Sequence, residues 1–242
     1  MSKRETYEQL IRALKGESTA ADLRSFMGFG ALKELLLPLD DKTSWTQEDL
    51  RMEPMVKAFH ESLQETFQKQ YDAVWASLRN ATLSSFYTPA FITEPIVEAI
   101  KKQTTVHSIL EPSAGTGNFI SPLKKHFPQA SITAIEKDQL SACLLRQLHP
   151  TIEALHSSYE DFPNRTFDLV ISNIPFGNVS VFDNAMFRES VPVKIKSTTR
   201  IHNYYFVKSL DNLKHRGLLA FITTTGVMDS PANKEIREYL MK

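Results

Sequence analysis

Residues 109–119 read ILEPSAGTGNF. An apolar run ends in a carboxylate, Glu111. It passes into a turn of small residues holding Gly115 and Gly117, and a helical pattern opens near Asn118. Glycines at such a turn let backbone approach a ligand closely and take positive φ. The spacing is neither the G-x-G-x-x-G of dinucleotide sites nor a phosphate loop, which needs Gly-Lys-Ser/Thr. What remains is strand, glycine turn and helix, with an acid at the strand end.

Working outward, the same alternation repeats. VHSILEP (106–112), ASITAIEKD (130–138), FDLVISN (167–173) and GLLAFITTT (217–225) read as strands, and TIEALHSS (151–158) as a weak one. Between and around them, TPAFITEPIVEAIKK (88–102), GNFISPLKKHF (117–127), DQLSACLLRQL (138–148), IHNYYFVKSLDNLK (201–214) and PANKEIREYLMK (231–242) read as helices. Thr88 reads as the N-cap of the first of these, with Pro89 at its first helical position. Strands alternating with helices predict an α/β fold, a parallel sheet covered on both faces. The first eighty residues are helical in pattern instead. TYEQLIRALK (6–15) ends at Gly16, and TQEDLRMEPMVKAF and its continuation suggest two helices parted near Pro54. Thr46 with Asp49 has the look of a capping box. The division predicted is a helical region, 1–80, and an α/β domain, 81–242.

The chain has 242 residues, 42% hydrophobic and 23% charged, as expected of a globular protein with one α/β domain and an appendage. No apolar run approaches the roughly 18 residues of a membrane span, and the charged N-terminus has no signal-peptide core. The single cysteine, Cys143, sits on a helical pattern and reads as a small packed side chain. One thiol fits a reducing cytoplasm. No His/Cys cluster has metal-ligand spacing, so no metal is expected. Net charge is zero, which by itself gives no argument for nucleic acid. Charge is uneven, though. From Arg188 to Arg216 seven Lys/Arg stand against two acids, so this stretch carries +5 and the remainder −5.

Ligands on parallel sheets sit beyond the carboxyl ends of the strands. Glu111, at one such end, would repel a pyrophosphate but welcome a cation such as the amino group of an amino acid. The next strand closes with Glu136, placed where an acid accepts the hydroxyls of a ribose. A ribose, an adenine and a charged amino acid without phosphate occur together in S-adenosylmethionine. The fourth strand runs into Asn173-Ile174-Pro175-Phe176. A turn alone would more usually employ Gly, Asp or Asn-Gly. The side-chain oxygen of Asn173 and the carbonyl of Ile174 can accept the two N–H groups of an exocyclic amine, freeing its lone pair. Pro175 stiffens the turn, and Phe176 stacks on the ring. A base reached this way has left the duplex. The bland alternative is that Asn173 caps a turn and Phe176 is core.

SSFYTPAFITEPIVEAI, ILEPSAGTGNFI, AIEKD and FDLVISNIPFG stand in the order of the N6-adenine DNA methyltransferases of the γ arrangement, and the chain resembles that family. FMGFGALKE, RIHNYYFVKSLDNL and LLAFITTTGVMDS resemble the methylase portion of large phage and mobile-element methylase–helicase proteins of the anti-restriction type. The resemblance implies a Rossmann-like class I S-adenosylmethionine-dependent sheet, with double-stranded DNA as substrate. Phe86, Tyr87, Thr88 and Pro89 would pack on the methionine end of the cofactor. Glu111, Ser113, Gly115, Gly117 and Asn118 would form the glycine-turn pocket. Glu136, with Lys137 beside it, would hold the ribose. Asp161 would bind the cofactor's adenine amine, and Phe162 would line its ring. Asn173 to Phe176 would be catalytic. The family pattern has Pro-Pro where Ile174-Pro175 stands, so a looser turn is expected. It also continues past the fifth strand, so the resemblance implies missing C-terminal sheet strands, a fragment of uncertain activity, and a helicase or target-recognition domain elsewhere.

Residues 177–200 show little regular pattern and follow the shelf directly. Lys194, Lys196 and Arg200 there are expected to touch DNA phosphates, against the alternative of a solvated loop. His202 is expected to be a satisfied structural histidine. Two other readings stay open: a non-catalytic cofactor- or DNA-binding module, and a methyltransferase acting on RNA bases or protein glutamine.

Overall fold

The computed structural model describes residues 1–84 and 86–241, the side chains of 81–84 excepted. Three helices come first: α1 (Lys3–Leu14), α2 (Gln47–Phe67) and α3 (Tyr71–Ser84), with short 3-10 turns at Phe29–Ala31 and Lys33–Leu36. Next are α4 (Ala90–Gln103), β1 (Ser108–Glu111), α5 (Ile120–His126), β2 (Ser131–Glu136), α6 (Gln139–Leu148), β3 (Glu153–His156) and β4 (Phe167–Asn173). After β4 come α7 (Asn184–Glu189), α8 (Pro192–Ser197), α9 (Ile201–Asp211), β5 (Leu213–Ile222), α10 (Gly226–Asp229) and α11 (Lys234–Leu240). Among the described residues the strands form one sheet in the order β3-β2-β1-β4-β5, every pairing parallel. Successive connections run one way from β1 to β3 and the other way from β4 to β5. A crevice therefore opens at the carboxyl ends of β1 and β4.

Helix α2 is capped as expected, with Thr46 and Asp49 exchanging side-chain and backbone bonds. It does not part at Pro54, which lies inside it. The break falls at Gln68, where φ is +44°. Helix α4 begins at Ala90, with Pro89 rather than Thr88 at the cap position and no side-chain cap. The stretch expected to be irregular carries α7 and α8.

Helix α6 explains how the N-terminal region joins the sheet. Leu140, Leu144 and Leu148 recur every fourth residue and form one stripe. They are buried among Tyr7, Leu10, Phe29, Phe59 and Leu78 of the helical region. Leu145, one residue round, packs instead with Ile109, Ile132 and Leu169 under the sheet. The other sheet face is covered by Tyr204, Tyr205 and Val207 of α9, with Tyr159 and Phe162. Half-buried Cys143 has its thiol pushed up by burial. No helix among the described residues is long and apolar enough to cross a membrane.

The segment after β4 is fixed from beneath. Asp183 is fully buried and caps α7 through the N–H groups of Ala185 and Met186. It also accepts from Tyr204 Oη and Lys208 Nζ, each at 2.7 Å. Burial works against the Asp183 charge, yet the Lys208 and Tyr204 bonds hold its carboxyl below the usual range. Lys194 is only 6% exposed, its Nζ 2.6 Å from Glu189 and 2.7 Å from Asp211. Removing one partner of a buried pair strands the other charge, whereas an exposed pair contributes little. Lys208→Ala should therefore cost about 3–5 kcal/mol of unfolding free energy. The same change at Lys196, in an exposed pair with Glu235, should cost less than about 1 kcal/mol. Urea titration distinguishes the two; equal losses would show that Asp183 is not the anchor.

Candidate active site

At the crevice between β1 and β4 lies a cleft of about 360 Å³, walled by four segments. Phe86, Tyr87 and Thr88 lead into α4. Glu111, Ser113, Ala114, Gly115, Asn118 and Phe119 follow β1. Glu136 ends β2, and Asn173, Ile174, Pro175 and Phe176 close β4, with Ile222 from β5 behind them. Four segments far apart in sequence meet here because parallel strands deliver all their carboxyl ends to one edge.

Glu111 is 2% exposed, and its Oε2 has no hydrogen-bond partner among the described residues. Burial, then the charge of Glu136, pushes its carboxyl well above the usual range. The Thr88 hydroxyl, lining the same cleft, is likewise buried without a partner. Leaving buried polar atoms unsatisfied is costly, so two in one cleft mark a place built for a polar ligand. Glu136 is half-buried and differently held. Its Oε2 accepts from the Gly115 N–H and its Oε1 from the Asp138 N–H, both at 2.7 Å. Burial raises its carboxyl to about 7, the Asp138 and Gly115 bonds opposing the rise.

Gly115 has φ +57°, and a Cβ there would come within 2.7 Å of the Tyr87 ring. The loop therefore needs glycine for both conformation and close packing. Gly117 lies on the far side of the turn, where a Cβ would meet the His149 ring at 2.5 Å. It shapes the loop but does not line the cleft.

The shelf is better tied than its sequence suggests. Ile174 N–H donates to the Ile222 carbonyl at 3.1 Å, a bond proline cannot make, and the Ile174 side chain is buried with Tyr205 and Ile236. The aliphatic residue thus anchors the turn, which corrects the expectation of a looser one. Asn173 Nδ2 points at the Phe86 carbonyl, 3.5 Å away. Among the described residues, neither Asn173 Oδ1 nor the Ile174 carbonyl takes a hydrogen bond. Phe176 is 58% exposed on the cleft wall, so it is not core.

Other expected site residues fall elsewhere. Pro89 caps α4 behind the wall. Lys137 is exposed, 3.5 Å from Glu160. Asp161 accepts the Ser158 hydroxyl, and Phe162 is buried with its ring against Phe167. Phe162 belongs to the packing beneath β4 and Asp161 is exposed, and neither is among the residues that wall the cleft. Lys194 is withdrawn from solvent by its two carboxylates and is not placed to meet a phosphate. Lys196 is exposed beside Glu235, and Arg200 is half-buried at the start of α9. His202 is buried, but both ring nitrogens lack partners among the described residues, contrary to the expectation of a satisfied histidine. Reading the sequence missed Ala114, Phe119 and Ile222, apolar wall residues whose sole signal is proximity to a strand end.

Similarities to known proteins agree with this geometry. The chain is 30% identical over 162 residues to Defense against restriction protein B of Escherichia phage P1, covering 64% of this chain and 7% of that protein. It is 26% identical over 161 residues to Modification methylase CviBIII of Paramecium bursaria Chlorella virus NC1A, covering 64% of this chain and 41% of that one. It thus spans less than half the length of these curated relatives. Among solved structures, the type I restriction-modification methyltransferase subunit of Streptococcus thermophilus superposes with a TM-score of 0.52 at 18% identity, covering 100% of this chain and 60% of that chain. A protein assigned to the class I S-adenosylmethionine-dependent methyltransferases, from Listeria monocytogenes, gives 0.53 at 18% identity, covering 98% and 79%. These two establish the fold as that of the class I S-adenosylmethionine-dependent methyltransferases. Residues 64–242 match the N-6 DNA methylase family model, and the chain belongs to that family.

Proposed function

We propose that this chain transfers a methyl group from S-adenosylmethionine to the N6 amine of an adenine turned out of DNA. The observation that carries the reading is the single cleft on which Glu111, Glu136 and the Asn173–Phe176 shelf all open. The fit to the cofactor rests on the two orphaned polar atoms, Glu111 Oε2 and Thr88 Oγ1, and on the bare backbone at Gly115. Glu111 would face the cofactor's ammonium, and Glu136 would accept its ribose hydroxyls. When bound, the cofactor supplies an electrophilic methyl group on a sulfonium.

The chain's own residues deal with the amine. An adenine amino group is a poor nucleophile because its lone pair is delocalised into the ring. Asn173 Oδ1 and the Ile174 carbonyl, both free to accept, would take its two N–H bonds and draw the nitrogen toward tetrahedral geometry. Their rigidity comes from the Ile174–Ile222 bond and from Pro175. The exposed faces of Phe176 and Phe86 would hold the base by stacking. That offsets part of the few kcal/mol needed to unstack it. Lys196 and Arg200 remain the candidates for phosphate contact, with Lys194 removed.

Charge on the two acids sets a pH dependence. A carboxyl whose folded pKa is about 7 against 4.5 unfolded keeps its proton longer in the folded state. Its contribution to stability is complete below 4.5 and is lost as pH rises through about 7. The ligand-free chain should therefore melt at lower temperature as pH rises through this window, and Glu136→Gln should flatten the decline. Affinity for S-adenosylhomocysteine should rise over the same window, because an ionised Glu136 accepts from the ribose hydroxyls without a proton of its own. Differential scanning fluorimetry with and without that ligand checks both signs. A melting temperature that climbs with pH in the free protein and ignores Glu136→Gln would contradict the assignment.

For the chemistry, Asn173→Ala should lower methyl transfer by about 10²-fold or more, the loss seen when one oriented polar group at a reacting centre is removed. Affinity for S-adenosylhomocysteine should change by less than about threefold, since the shelf binds the amine rather than the cofactor. Labelled methyl transfer to DNA, RNA and protein in parallel reads the substrate. Label on RNA or glutamine alone, or turnover unaffected by Asn173→Ala, would refute the proposal.

A further inference from the structure

Among the described residues, none of α1, α2 or α3 lines the cleft. Two hydrogen bonds that leave this region nevertheless end on the cleft's walls, while Gln139–Gln70 and Gln147–Leu14 end on α6. Consecutive carbonyls of the strap between α1 and α2 are both engaged. The Phe26 carbonyl accepts from Asn118 Nδ2 at 3.3 Å, and the Met27 carbonyl accepts from the Tyr87 N–H at 2.9 Å. Asn118 Nδ2 also reaches the Thr88 carbonyl at 2.9 Å, joining the glycine turn to the segment before α4. The Phe26 ring meets the Tyr87 ring edge-on, centroids 5.6 Å apart.

A second connection runs through α3. Ser77 Oγ donates to Asp138 Oδ2 at 2.5 Å. The other oxygen of Asp138 caps α6, accepting from Ser141 N and Ser141 Oγ, each at 2.7 Å. Ser141 Oγ also lies 2.7 Å from the Tyr87 hydroxyl. The Tyr87 ring packs on Gly115, whose N–H holds one oxygen of Glu136, and the Asp138 N–H holds the other. The circuit is closed: Ser77, Asp138, Ser141, Tyr87, Gly115, Glu136, and back to Asp138.

We infer that the helical region is the positioning half of the cofactor site: Ser77 fixes Glu136 through Asp138, and the Phe26–Met27 strap fixes Tyr87 and Asn118. This rests on the reading that the cleft takes S-adenosylmethionine. Simple bracing of the sheet needs only the apolar stripe of α6, which is present. Three polar links go further: those of Phe26 and Met27 end on wall residues, and that of Ser77 ends on Asp138, whose N–H holds Glu136. Ser77 and Asp138 touch no ligand; they act through Glu136.

The test is Ser77→Ala in the whole chain, with Ser77→Thr as the conservative variant. The alanine form keeps the α6 cap, which uses the other oxygen of Asp138. It should bind S-adenosylhomocysteine about fivefold more weakly by calorimetry, the scale of one hydrogen bond. KM for the cofactor should rise by the same factor with kcat held within about twofold. The melting temperature should fall by no more than about 3 °C, and the threonine form should restore binding. In the parent chain, ligand should slow hydrogen exchange at residues 26–28 and around Ser77, although none of these lines the cleft. Binding unchanged by Ser77→Ala, or exchange at 26–28 indifferent to ligand, overturns the inference. Should the parent chain take up no ligand, the reading of the cleft fails separately. The brace is then judged without ligand: Ser77→Ala must speed exchange across 113–119 and 136–138, and rates equal to the parent's overturn it.

Discussion

Everything at the site follows from the parallel pairing of β1 with β4. Ile109 and Leu110 lie beside Leu169 and Val170, and the chain leaves these neighbours toward opposite edges of the sheet. No crossover covers the gap between them. Glu111 and the glycine turn issue from one strand and the Asn173 shelf from the other, so an acid suited to a cation faces two acceptors suited to an amine. The cleft is narrow because the strands beside it are hydrogen-bonded neighbours. That proximity also bears on the carboxylate energetics: burial raises the cost of ionising both acids, and the charge of Glu136 adds to it at Glu111.

Rigidity is supplied by bonds and packing behind the cleft's lining. Ile174 exchanges the first proline of the family pattern for an N–H bond to Ile222 and a buried side chain, so the shelf is held by sheet pairing and packing together. Behind it, Asp183 and Lys208 fix the start of the following segment, and Lys194 fixes its middle against Asp211 and Glu189. Lys194, which looks like a DNA contact in a list of residues, is thus structural. On the cofactor side, Tyr87 and Asn118 do the corresponding work, linked to the strap at Phe26 and Met27. Both walls of the cleft are pre-arranged, the condition under which fixed dipoles help a reaction most.

The α/β class, the strand ends and most of the cleft could be read from the chain. The glycine turn, Glu136 and Asn173–Phe176 are local signatures, each set by a strand meeting a turn, and local signatures survive in sequence. Lys194 is different: residue type and order alone suggest a phosphate contact, but whether a lysine meets solvent or a carboxylate depends on helices that arrive from elsewhere. Helices α7 and α8 were not seen because each has only six residues, too few for apolar periodicity to stand out.

By itself, the sequence determined that three chemically distinctive strand ends exist and in what order they come, because hydrophobic alternation and glycine placement are properties of short segments. It also determined where α6 is apolar. Only the tertiary structure decided which of those ends share a cleft, which basic residues are already neutralised, and that the N-terminal region bonds to Asp138, Asn118 and Tyr87 through Ser77, Phe26 and Met27. The last of these depends on bonds between residues 60 or more positions apart, such as Ser77 with Asp138 and Phe26 with Asn118. Such bonds leave no periodic trace in the chain, and they form only once packing has brought both partners to the same place.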